Sequence, residues 1–256
     1  MQAKKSLGQN FLSDPKILKK IVGVSGVGKN DTVLEIGPGL GTLTKEILAT
    51  GANVIAVEKD HRLITPLTEK FAKEIANGKL KIIEGDILDS IPYHLLPKTY
   101  SLIANLPYYI TGQALSTFLS AEHQPTSITL LLQKEVVERI VARDNRAYRQ
   151  AGKESLLSLS VKVYGTPEKE FIVKAGSFNP APKVDSAVIT IKNISRKNFK
   201  SAGHEKKFFE MIHLGFAHKR KQLKNNLLDI NLSHCGLDLK KRAEELLLND
   251  WLCLSQ

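Results

Sequence analysis

The stretch Thr32-Val-Leu-Glu-Ile-Gly-Pro-Gly-Leu-Gly41 constrains this chain more than any other. Apolar residues crowd its first half without helical spacing, and three glycines then follow at alternate positions. Leu43 to Thr50 repeats at helical spacing and stops at Gly51. A buried strand, a glycine turn and a helix in that order open a strand–helix–strand unit. In open α/β sheets the ligand cleft lies at the carboxyl ends of the strands, which is where this turn falls.

The alternation continues downstream. Asn53–Val57, Leu80–Glu84, Tyr100–Ala104 and Ser127–Leu132 read as further short strands. Helical stretches around Leu63–Asn77, Gln113–Ser120 and from Lys134 separate or follow them. Pro15–Val22 reads as a helix ahead of the first strand, with Ser13 or Asp14 as its cap. Such alternation predicts an α/β fold whose mostly parallel sheet carries helices on both faces. Leu156–Tyr164 and Val184–Lys192 alternate apolar and polar residues and suit an antiparallel pair closing one edge. The polar segment from Asn193 to Gly203 reads as a linker. Beyond it Phe208, Phe209, Ile212 and Phe216, and then Ala243, Leu246, Leu247 and Trp251, mark helical faces. Two domains are therefore expected, residues 1–195 and a small all-helical domain over 196–256.

Composition bounds the function. A chain of 256 residues buries enough surface to need no metal or disulfide staple. No apolar run approaches the ~18 residues of a membrane span, and the N-terminus lacks the apolar core of a secretory signal. Cys235 and Cys253 are the only cysteines, which points to a reducing compartment and no disulfide framework. A cytoplasmic protein is expected. Lys and Arg number 37 against 26 Asp and Glu, a net charge of +11. Residues 191–256 hold 13 of the basic and 7 of the acidic side chains, so +6 sits in a quarter of the length. That balance favours a polyanion such as nucleic acid.

Gly23-Val-Ser-Gly-Val-Gly-Lys-Asn30 almost spells a phosphate loop. Asn30 has no hydroxyl for magnesium, and the segment leaves a helix and enters a strand, the reverse of that motif. A turn suffices there. Gly37, Gly39 and Gly41 space as GxGxG rather than the GxGxxG of dinucleotide enzymes, and Pro38 removes one N–H donor. An uncharged or zwitterionic cofactor fits that turn better than a pyrophosphate. Glu58, 21 residues after Gly37 and just past the second strand, is placed to accept both hydroxyls of a ribose. Asp86 closes the third strand and can accept the N–H of an adenine amino group, with Ile87 packing on the ring. Asn105-Leu106-Pro107-Tyr108 ends the fourth strand. Its side-chain oxygen and following carbonyls can accept N–H bonds from an exocyclic base amine, and Tyr108 offers a face for an unstacked base. The histidines show no ligand spacing, so no metal site is expected.

With Lys4-Lys-Ser-Leu-Gly-Gln-Asn-Phe-Leu12 and Phe178-Asn-Pro-Ala-Pro-Lys-Val-Asp-Ser186, these segments resemble the ribosomal RNA adenine N6-dimethyltransferase family, and more closely its small-subunit (16S) branch. The resemblance runs from about residue 4 to the C-terminus. It implies a Rossmann-like class I methyltransferase sheet, S-adenosylmethionine as cofactor, and dimethylation of two adjacent adenines near the 3′ end of 16S RNA in a small-subunit precursor. A monomer with no membrane contact is expected. Carried onto this chain, Asn10 and Leu12 border the cofactor, and Gly37, Glu58, Asp86 and Asn105 contact it. Tyr108 and Phe178 sandwich the target adenine. Lys219, Arg220 and Lys221, read as part of a helix, fall at an RNA-contacting cluster where the family more often has Arg at the position of Lys219. Three alternatives stay open: a nicotinamide-dependent oxidoreductase, which the GxGxG spacing and Asn-Leu-Pro-Tyr oppose, a 23S adenine methyltransferase of the macrolide-resistance type, and a ribosome-assembly binding factor.

Overall fold

A computed structural model of the chain describes residue 4 and residues 7–142, 153–218, 220–227, 235–238 and 240–256. Two compact units divide it, one of residues 1–137 and 168–194, the other of 138–167 and 195–256. The sequence reading assigns 138–167 to the first domain; the chain's own contacts group that segment with the C-terminal residues instead.

The first unit begins with a two-residue strand, β1 (Phe11–Leu12), and helix α1 (Pro15–Ser25). Asp14 caps α1 by accepting the Lys16 N–H, and Pro15 sits at the first turn, where a missing N–H costs nothing. Next come β2 (Thr32–Ile36), α2 (Thr42–Ala49), β3 (Asn53–Glu58), α3 (His61–Lys70), α4 (Ala72–Ala76) and β4 (Leu80–Glu84). The expected single helix over 63–77 is broken at Phe71, whose φ of −112° leaves the helical region. Its buried ring packs at Gly41, where a Cβ would come within 2.5 Å of it. The unit continues with β5 (Ser101–Asn105), α5 (Thr111–Leu119), β6 (Ser127–Gln133) and α6 (Lys134–Ile140), which runs across the division between the units.

α7 (Leu156–Lys162) corrects the expected edge strand. Leu156 and Leu159 are three apart, and Ser155 and Ser158 form a reciprocal capping box, so local hydrogen bonds favour helix over the alternating reading. The edge is formed by β7 (Thr166–Val173) and β9 (Ser186–Lys192), while β8 (Phe178–Asn179) pairs with β1. Thr190 bonds Glu170 and Lys192 bonds Glu168, a pairing that runs β7 and β9 in opposite directions.

The main sheet has the order β4-β3-β2-β5-β6-β9-β7. β2, β3, β4, β5 and β6 pair in parallel, and β9 pairs antiparallel to β6 with Leu130 opposite Ile189. From β2 the chain moves outward through β3 to β4, then returns to place β5 on the other side of β2. The strand order therefore reverses between β2 and β5, and a crevice opens at their carboxyl ends. Val33, Leu34, Val54, Ala56 and Ile103 are almost wholly buried in the sheet, as residues of doubly covered parallel strands must be.

In the second unit Ser201 caps α8 (Ala202–Phe216) by accepting the His204 N–H, and Phe208 and Ile212 face its core. Short helices α9 (Leu223–Asn226) and α10 (Leu248–Leu254) follow. Trp251 packs against Gly215, where an added Cβ would lie 2.2 Å from its ring. Cys235 and Cys253 are joined as a disulfide with Cα atoms 6.0 Å apart. That corrects the expectation of two free thiols: they are 18 residues apart in sequence, and only the fold of the C-terminal segment makes them neighbours. Arg220 and Lys221 lie in the turn between α8 and α9 rather than on a helix, and Lys219 falls outside the described residues. Among the described residues no helix is long and apolar enough to cross a membrane.

Candidate active site

The crevice between β2 and β5 is lined by nearly every cleft residue expected from sequence. Asn10, Leu12, Gly37, Gly39, Glu58, Asp86, Ile87, Asn105, Leu106, Pro107 and Tyr108 all border one cavity in the first unit. Phe178 does not border it. Its ring is buried in the core with Leu12, opposite which it pairs in the β1–β8 ladder.

The glycine turn forms the floor. Gly37 donates its N–H to Val57 O at 2.9 Å and Gly41 to Pro38 O at 2.8 Å. Gly39 donates to Glu58 Oε2 at 3.0 Å, and Pro38 has no N–H. The turn thus spends its glycine donors inside the protein, which leaves no cradle for a pyrophosphate. Gly39 has a φ of +60°, and a Cβ there would meet the Phe11 ring at 3.0 Å, so the strap bearing Phe11 can close over the turn only above glycine.

Glu58 is 5% exposed at the end of β3. Its Oε1 accepts the Asp60 N–H at 2.8 Å while Oε2 takes Gly39. Each oxygen keeps lone-pair capacity for one further donor, the arrangement two adjacent ribose hydroxyls require. Burial pushes its carboxyl up, and the two N–H bonds offset part of that rise. Asp86, one residue beyond β4 after Gly85, accepts the Leu88 N–H at 3.0 Å and the Lys59 ammonium at 2.5 Å. Burial works against its charge, but these two donors together outweigh it and hold the carboxyl below its usual range. Ile87 beside it is buried and offers an apolar face.

At the end of β5, Asn105 donates Nδ2 to the Asn10 carbonyl at 3.1 Å. With the amide nitrogen committed to the strap, the side-chain oxygen remains as an acceptor. The Pro107 carbonyl already takes the Ile110 N–H at 3.2 Å, and the Asn105 oxygen and the Leu106 carbonyl stand beside it as further acceptors at the strand end. Tyr108 is anchored by its hydroxyl to Ser186 Oγ at 2.8 Å, which fixes the ring at the cavity wall. Its neighbour Tyr109 is 63% exposed at the rim.

Glu35 is a cleft residue to which sequence reasoning gave no role. It lies on β2, is 1% exposed, and its Oε2 has no hydrogen-bond partner among the described residues. Burial pushes its carboxyl up to about 8; Thr44 offsets part of the rise and the neighbouring Glu58 adds to it. The signal was an acidic residue inside an otherwise apolar buried strand. An unpartnered carboxyl oxygen in a cleft whose turn withholds its glycine N–H groups suits a ligand bearing a cation. Glu58 suits its ribose, and Asp86 with Ile87 its adenine. S-adenosylmethionine, an adenosine joined to a zwitterionic, sulfonium-bearing chain, fits this donor and acceptor set.

In the second unit Arg220 and Lys221 are exposed. A bridge between Gln222 and Arg242, with the Leu223 N–H on Lys241 O at 2.9 Å, sets them beside exposed Lys240, Lys241 and Arg242. This second basic run was not singled out from sequence, because its pairing is tertiary.

Comparison with known proteins agrees with this geometry. The ribosomal RNA adenine dimethylase family matches residues 1–252. Ribosomal RNA small subunit methyltransferase A of Dehalococcoides mccartyi is 40% identical over 268 residues, covering 99% of this chain and 88% of that protein. The protein of the same name from Lactobacillus delbrueckii subsp. bulgaricus is 35% identical, covering 100% and 90%. The crystal structure of a dimethyladenosine transferase from Plasmodium falciparum is similar with a TM-score of 0.77 at 27% identity, over 95% of each chain. The 23S rRNA methyltransferase ErmE shares the fold, with a TM-score of 0.76 at 24% identity over 96% of this chain and 98% of its own. The chain belongs to the ribosomal RNA adenine dimethylase family.

Proposed function

We propose that this enzyme dimethylates the N6 amino groups of two adjacent adenines near the 3′ end of 16S RNA in a small-subunit precursor. Bound S-adenosylmethionine supplies a methyl group on a positively charged sulfur. Glu58 holds its ribose, Asp86 and Ile87 its adenine, and Glu35 and the glycine turn face its amino-acid end.

The observation that carries the reading is the acceptor pair at the end of β5, the Asn105 oxygen and the Leu106 carbonyl. An adenine amine is a poor nucleophile because its lone pair is delocalised into the ring. Two acceptors that take its N–H bonds favour the pyramidal nitrogen, on which the lone pair is free to attack. As the new C–N bond forms and the C–S bond breaks, positive charge on the nitrogen strengthens both hydrogen bonds. The product ammonium is acidic and releases its proton to water, so no side-chain base is required. Tyr108 stacks on the flipped base. Arg220 and Lys221 contact RNA phosphates, with Lys219 completing the run.

Incubation with methyl-labelled S-adenosylmethionine and undermodified small subunits tests this. Label on N6 of two adjacent adenines near the 3′ end is expected. Label on large-subunit RNA would replace the proposal with the 23S alternative, and tight particle binding without label would favour an assembly factor.

A further inference from the structure

Among the described residues, three side-chain bonds tie residues 7–12 to other parts of the cleft, and the one through Gln9 touches none of the groups assigned to the chemistry. Thr42 Oγ1 donates to the Leu12 carbonyl at 2.9 Å, and Asn105 Nδ2 to the Asn10 carbonyl at 3.1 Å. The third runs through a side chain, Gln9. Its Nε2 donates to Asp60 Oδ2 at 2.9 Å, and its Oε1 accepts the Lys4 N–H at 2.7 Å. Both ends of the carboxamide are therefore engaged, one as donor and the other as acceptor.

Asp60 is no ordinary surface anchor. It is 2% exposed, caps α3, and is paired through both oxygens with Arg62, which holds its carboxyl well below the usual range. Its own N–H donates to Glu58 Oε1, and Glu58 Oε2 takes Gly39. A continuous chain of hydrogen bonds thus runs Gln9–Asp60–Glu58–Gly39, from the strap to the carboxylate facing the ribose site. Gln9 also borders the cavity, beside Gly8 and Asn10.

Resting on the cofactor reading above, we propose that Gln9 is a positioning residue: it latches the strap to Asp60 and so controls how long S-adenosylmethionine stays bound. The latch acts on cofactor retention and not on the methyl-transfer step, because Gln9 bonds neither Asn105 nor the Leu106 carbonyl. Gln9→Met keeps the length of the side chain and removes both bonds. Losing a hydrogen bond to a charged group should speed cofactor dissociation and raise its Kd and KM about tenfold or more. The kcat at saturating cofactor should stay within about twofold. Gln9→Glu sets a carboxylate against Asp60 and should weaken binding further. A raised KM with kcat held is a readout that a merely structural role would not give.

The experiment measures S-adenosylmethionine binding by calorimetry, its dissociation by stopped flow, and kcat and KM, on variants whose melting temperatures match the parent. Parent protein that fails to bind the cofactor would overturn the underlying reading. Parent that binds normally alongside an unchanged Gln9→Met variant would overturn the latch alone. A fall in kcat with unchanged KM would also overturn it.

Discussion

Replacing Glu35 by Gln should remove a pH-dependent burden on the folded state. The side chain is buried on all sides, so its ionised form is disfavoured in the fold and free in the unfolded chain. The carboxyl lies at about 8 folded, against 4.5 for an unburied glutamate. For an acid whose folded value is raised, stability is fully present below the unfolded value and is lost as pH rises through the folded one. Between those limits the folded state retains a proton that the unfolded chain has released, and each pH unit costs about 1.4 kcal/mol. The whole span amounts to roughly 5 kcal/mol, and about 3 kcal/mol of it falls between pH 6 and pH 9. Gln cannot ionise, so the parent should lose stability relative to Glu35→Gln by about that amount over that range. At this chain length 1 kcal/mol moves a melting temperature by about 2–4 °C. Thermal melts of both proteins without cofactor at pH 6, 7, 8 and 9 should therefore diverge by roughly 6–12 °C. Other groups titrate in both proteins and cancel in the difference. Glu58→Gln in the same background removes a neighbouring negative charge that raises the Glu35 carboxyl, so the divergence should level off at lower pH and be smaller in total. Parallel melting curves for the parent and Glu35→Gln would refute the reasoning.

Three further outcomes follow from the site. Glu58→Ala should weaken S-adenosylmethionine binding by about 1.5–3 kcal/mol, through loss of hydrogen bonds to a charged group; unchanged affinity in calorimetry would remove Glu58 from the ribose site. Asn105→Ala should lower kcat far more than it lowers RNA affinity, because its oxygen matters most as charge develops on the amine. Near-normal turnover at saturating substrate and cofactor would contradict that role. Arg220→Ala with Lys221→Ala should flatten the salt dependence of small-subunit RNA binding by roughly 1.4–1.8 in slope, at about 0.7–0.9 per phosphate contact, and leave cofactor affinity unchanged. An unchanged slope would make the run a solvated surface.

The sequence alone determined the strands that build the cleft and the residues at their ends. Short apolar runs closed by glycine or acid are local signals, and Glu58, Asp86 and Asn105 each sit at or just past a strand end, so the sheet carries them to one crevice. Features whose partners are remote in sequence were decided by the tertiary structure. Gln9 meets Asp60 across 51 residues, and Asn105 meets Asn10 across 95. Glu35 became a raised acid only because β3 and β5 flank and bury its strand and β3 brings Glu58 near it. Periodicity could not separate strand from helix at Leu156–Lys162, since a short run matches both patterns until capping bonds are counted. It also carried the helix through Arg220 and Lys221, where α8 has already ended at Phe216. Alternation and spacing register each residue's near neighbours along the chain, whereas burial, pairing and charge perturbation depend on what the folded chain brings across from elsewhere.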